Sequence, residues 1–175
     1  MVPGTEVPSD HPVRQTFQAL TERGSQQTKL ADRELHNYLS NLLVDFIHVD
    51  QLYRMRDEHG RRLEYIVDML RKVEEHGEFD KNEIYKQVGD FSLFILGLFP
   101  ESLHRGRKCI SLNYYADQGR RSYLILSETQ RAEQACVTFR KLSEQYESCV
   151  HTLNWVRNYI SDPFYQYMLR EFDCL

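Results

Sequence analysis

The chain has 175 residues, of which 41% are hydrophobic and 27% charged, with only 8 Gly and 5 Pro. That composition excludes a collagen, a low-complexity chain and a wholly disordered protein, and a chain of this length buries roughly 70% of its unfolded surface without a disulfide or metal. The 22 Lys+Arg against 26 Asp+Glu give a net charge of −4, which argues against a general nucleic-acid binder.

Residues 1–11 hold Pro3 and Pro8 and almost no large apolar side chain, and read as a flexible arm ahead of a single domain over 12–175. A short first helix is expected to start near Pro12, with Val13, Phe17 and Leu20 on its apolar side and Gly24 as its stop. A second, long helix is expected from about Thr28 to Met55. Its seam of Leu35, Leu39, Leu42, Phe46, Val49 and Tyr53 alternates steps of 4 and 3, and Leu43 and Ile47 widen it.

A third helix carries Leu63, Ile66, Val67, Leu70 and Val73 inward and stops near His76-Gly77. Asp80 and Glu83 have capping-box spacing and are expected to open a fourth, which is apolar nearly all round from Phe91 and so central to the core. A fifth is expected over Ser111 to Leu126, facing its neighbours with Tyr115, Ala116, Gly119, Tyr123 and Leu126, where the small residues allow a close approach.

Ser127 and Gln130 then suggest a capping box for a sixth, long helix. Its seam runs through Ala135, Phe139, Leu142, Tyr146, Cys149, Leu153, Val156 and Ile160. Ser161-Asp162-Pro163 is expected to end it and to cap a last short helix with Phe164, Tyr167 and Phe172. No segment alternates with period two between turns. The expected fold is therefore all-α: one bundle of about six to seven helices, two of them long, at about 40 Å each.

No phosphate-binding loop, dinucleotide fingerprint, nucleophile elbow or HExxH is present, and the sequence implies no cofactor. Glu101 and His104 match the ExxH spacing of helical carboxylate metal centres, and Asp45 and His48 match it loosely. The simpler reading of both is a solvated face, so no metal site is assigned. Cys109, Cys136, Cys149 and Cys174 form no CxxC, and the N-terminus has neither a basic nor an apolar leader region. Together these point to reduced thiols in the cytoplasm. No run of apolar residues is long enough to span a bilayer, so no membrane partner is expected.

The most unusual segment is Glu101 to Tyr123. Arg105, Arg107 and Lys108 precede a helix start, where free N–H groups favour an anion, and Tyr114, Asp117 and Arg121 add polar tips along that helix. These six are the candidate ligand-binding residues, for an anionic small molecule or an acidic partner. The alternative is a solvated basic connector with tyrosines that wet only their hydroxyls. Tyr159, Phe164, Tyr165, Tyr167 and Phe172 form a dense aromatic end, which either docks the last helix or meets a protein partner.

The runs GDFSLFILGLFPESL (Gly89 to Leu103) and YLSNLLVDF (Tyr38 to Phe46) resemble all-helical bacterial proteins of no assigned function, over Leu35 to Glu128. The resemblance implies a soluble bacterial protein and transfers no catalytic or binding residue. The leading functional expectation is a binding, interaction or regulatory module, including self-association through a heptad seam. The alternatives are an anionic-ligand binder or enzyme at residues 101–123, and the carboxylate–histidine metal protein.

Overall fold

The computed structural model describes residues 11–75, 78–104 and 110–160. Among them the fold is an all-α bundle: α1 (Pro12–Thr28), α2 (Arg33–Asp45), α3 (Val49–Leu52), α4 (Ile66–Glu75), α5 (Glu78–Leu98), a 3-10 turn over Pro100–His104, α6 (Leu112–Thr129), α7 (Glu133–Glu144) and α8 (Tyr146–Arg157). The described residues contain no strand beyond one isolated bridge, Arg56 to Arg62. The expected arm over 1–11 and the last helix after Ser161 fall almost wholly outside the described residues.

α5 is the central element. Every residue from Gln87 to Phe99 is buried, and α4, α6 and α8 pack around it. This is what a helix apolar on all sides requires, since no face of it is left for water. α6 lies close to α5 at Gly119, where a Cβ would come within 2.7 Å of Ser92 Oγ and 2.8 Å of Tyr146 Cζ. A side chain there would displace the buried Ser92–Tyr146 hydrogen bond of 2.8 Å.

Several helix ends differ from the expectations. Gly24 does not stop α1. It lies where α1 crosses α8, and its Cβ would meet Trp155 Cε3 at 3.0 Å and the Thr152 carbonyl at 3.2 Å. The stop comes at Lys29, whose φ of 61 and ψ of 27 place it in the left-handed region. α2 then starts on Asp32, which accepts hydrogen bonds from Glu34 N at 2.9 Å and Leu35 N at 3.3 Å. α5 is already helical at Glu78, so Asp80 does not open it. Ser127 lies inside α6, and α7 begins at Glu133, with Ala132 in the cap position and no side-chain cap.

The two heptad seams are each carried by consecutive segments. The first breaks at Phe46–His48 and resumes as α3, so that the adjacent Leu52 and Tyr53 are both buried. One straight helix would turn two neighbouring residues about 100° apart. The second bends at Gln145, which leaves helical values at φ −106 and ψ 23. Gln145 nevertheless donates to Lys141 O at 2.9 Å and accepts from Cys149 N at 3.0 Å. Phe139, Leu142, Tyr146, Cys149, Leu153 and Val156 stay buried through the bend. The bend lets one seam serve two surfaces: α7 packs on α6, and α8 on α5 and α1.

Candidate functional site

α2 is tied to the core along one side. Near its start, Lys141 of α7 pairs with Asp32 at 2.8 Å and with Glu34 at 2.9 Å, and Glu34 also accepts from Thr138 and from Gln134. The hydrogen bonds from Thr138, Lys141 and Gln134 hold the Glu34 carboxyl down at about 2. Burial alone would raise Asp32, but its bonds to Lys141 and to the α2 amides outweigh that and lower it.

One turn on, the Tyr38 hydroxyl donates to Asp90 Oδ1 at 2.6 Å, and Tyr123 donates to the same oxygen at 2.8 Å. Lys86 engages Asp90 Oδ2 at 2.6 Å. Asp90 is only 4% exposed, yet both its oxygens are occupied, which is how a carboxylate is tolerated in a core. Burial first, and the neighbouring Asp90 charge second, push both phenols well above the usual tyrosine range. This network fixes the rotation of α2 against α5 and α6.

With Glu34 turned to α7 and Tyr38 to Asp90 of α5, the spacing of Arg33, His36, Asn37 and Ser40 turns those four toward α1. There they form a cleft of about 610 Å³ with Gln18 and Glu22 of α1. Arg14 of α1 extends the junction by donating to Asn41 at 2.7 Å. The His36 ring is half-buried, and its Nε2 lies 2.6 Å from the Leu30 carbonyl. A carbonyl only accepts, so Nε2 carries the proton and Nδ1 remains for another partner. Ser40 closes the floor at 1% exposure, and its Oγ is buried with no hydrogen-bond partner.

A second concavity, of about 690 Å³, lies beside the turn before α4. Its arginines are already engaged: Arg61 with Asp57 at 2.7 Å, Arg62 with Asp50 at 3.1 Å, and Arg71 with Asp68 at 3.2 Å. It therefore offers less unspent charge than the α1–α2 cleft.

Of the six residues singled out in the sequence, Arg105, Arg107 and Lys108 lie outside the described residues. Tyr114, Asp117 and Arg121 share one exposed face of α6. Asp117 pairs there with Arg120 at 3.1 Å. Ser111 caps the helix by accepting from Tyr114 N at 3.4 Å, and Tyr115 turns inward. Neither cavity described above includes Tyr114, Asp117 or Arg121 among its lining residues.

Glu101 pairs with Arg157 at 3.0 Å, and Asp45 and His48 are both exposed. Among the described residues no group of three or more His, Cys, Asp or Glu converges as metal ligands. No helix among them is long and apolar enough to cross a membrane.

Among the cleft residues only Ser40 carries a faint signal in sequence, as a polar residue set against Leu39 in an apolar stretch. What α1 places opposite them is a tertiary fact. Comparisons with protein-family models, curated proteins and solved structures returned no match.

Proposed function

We propose that this chain is a non-catalytic binding module that takes a small polar molecule in the cleft between α1 and α2. The observation that carries the reading is Ser40, a buried hydroxyl left without a partner at the floor of a cleft lined by polar side chains from two helices. Buried polar atoms are nearly always satisfied, so an orphan beside a cavity marks a place for a polar group from outside the chain. The volume of about 610 Å³ falls within the range of small-molecule sites.

A screen of polar fragments by amide chemical shift tests this. Binding fragments are expected to move the amides of Gln18, Glu22, Arg33, His36, Asn37 and Ser40. Fragments that instead perturb the Tyr114 to Arg121 face of α6, or no binding fragment at all, would overturn it.

A second reading, a protein partner at the end of α8, is favoured by Tyr159. It is 58% exposed and stacked on Trp155 with ring centres 4.1 Å apart. Tyrosine is enriched at interfaces for its large area and polar tip. Sedimentation of the parent and of Tyr159→Ser tests self-association there: the parent associates and the variant does not, or the reading fails.

A further inference from the structure

The α1–α2 cleft places one cation and one anion on opposite walls. Arg33 stands on α2 and Glu22 on α1, and neither side chain makes a hydrogen bond or ion pair with any described residue. The rest of the lining is neutral and able to hydrogen-bond. Gln18 and Asn37 each offer an amide, and His36 offers Nδ1, its other nitrogen being committed to Leu30 O.

This distribution discriminates between ligand charges. A phosphate or other plain anion gains Arg33 but meets the Glu22 carboxylate in the same space. A plain cation gains Glu22 and meets the guanidinium. An apolar molecule finds no apolar side chain in the lining and would desolvate both charges. A molecule with one carboxylate and one ammonium group satisfies both walls at once. Its carboxylate suits the planar fork of Arg33, with the Asn37 amide N–H beside it, and its ammonium suits acceptors: the Glu22 carboxylate, the Gln18 carbonyl and His36 Nδ1.

Resting on the reading of this cleft as the ligand site, we propose that its ligand is a small zwitterion, a free amino acid or short peptide held by both of its charged ends. The site bridges two helices, so such a ligand also clamps α1 onto α2. That clamp matters because α1 is modestly anchored. Of its buried residues Phe17, Thr21, Gly24 and Ser25, only Phe17 is large and apolar. The hydroxyls of Thr21 and Ser25 are buried without partners.

Titration calorimetry on the full chain tests the assignment, with L-glutamine and glycylglycine as probes. N-acetylglutamine, which lacks the ammonium, glutamine methyl ester, which lacks the carboxylate, inorganic phosphate and putrescine serve as controls. The zwitterions are expected to bind saturably at about millimolar concentration, and each control at least about tenfold more weakly. Arg33→Gln and Glu22→Gln should each weaken zwitterion binding by about tenfold or more while leaving the circular dichroism unchanged. Amide exchange in α1 should slow with the zwitterion and not with phosphate.

Controls that bind as well as the zwitterions, or single substitutions that leave affinity within about twofold, overturn the zwitterion assignment. If those controls still shift the cleft amides, cleft binding survives and only the ligand class falls. If no probe of any charge shifts the cleft, both fall together.

Discussion

Removing the Asp90 carboxylate should be among the most damaging single changes in the core. In Asp90→Ala the Tyr123 hydroxyl, on a residue 0% exposed, loses its acceptor with no water to replace it. The Tyr38 hydroxyl loses the same acceptor, at 2.6 Å in the parent. A buried donor left unpaired costs about 1 to 3 kcal/mol. Lys86 loses its ion pair, but its side chain is 38% exposed and can be hydrated, so its share is small. The expected loss is about 3 to 5 kcal/mol, the range for breaking a buried pair from one side.

Asp90→Asn keeps one oxygen for the two phenols but sets an amide NH2 group where Oδ2 accepted from Lys86, so it gives up the charge and that ion pair, whose lysine is exposed enough to be hydrated. It should lose about 1 to 2 kcal/mol. Urea unfolding followed by circular dichroism reads both. With a slope of about 2 kcal/mol per molar, the alanine variant should lose about 2 M in midpoint and the asparagine variant less than about 1 M. An alanine variant within about 1 kcal/mol of the parent, or an asparagine variant no better than alanine, would refute the account of α2 as pinned through this network.

Three further outcomes follow from the same contacts. Glu34 is held at about 2 against an ordinary 4.5, so the unfolded chain takes up a proton first as pH falls. Its contribution is complete above about 4.5 and is lost between there and about 2, which unfolding midpoints across that window should show and Lys141→Met should blunt. Gly119→Ala should destabilise by about 1 to 3 kcal/mol by driving a methyl into Ser92 and Tyr146, read as a drop in melting temperature, and a neutral result would deny the close α5–α6 approach. Burial, helped by the nearby Asp32 charge, pushes the Cys149 thiol up to about 12. Iodoacetamide at pH 8 should therefore leave Cys149 unlabelled in the folded protein and label it in urea, as peptide mass spectrometry would reveal.

Much of the architecture was legible in the periodicity. The heptad seams marked most of the buried residues of α2, α7 and α8, with Ala135 and Ile160 only partly buried, because a helix shows its core side as a 4-3 repeat wherever it lies in space. The apolar run after Phe91 announced a central helix for the same reason. Helix ends are less legible. Gly24 looked like a stop because glycine is common at C-termini, but here its missing side chain admits α8, and Lys29 turns the chain instead. Ser127 looked like a cap and is buried within α6. A local signal of this kind has two causes, and only the neighbour decides between them.

The candidate site divides the same way. Sequence alone determined an all-α chain, most of its inward faces (Val67, expected inward, is 46% exposed) and the small residues that permit close helices, all of which are properties of one segment at a time. It drew attention to the charges of 105–121, since a basic run on an acidic chain is visible in one dimension. Tertiary structure decided that Asp90 meets tyrosines from two other helices and that Lys141 reaches back to the start of α2. It also decided that Glu22 of α1 and Arg33 of α2 line one cleft. Those pairings join residues far apart in the chain. They depend on which helices lie side by side and how each is rotated, and no spacing within a single helix encodes that.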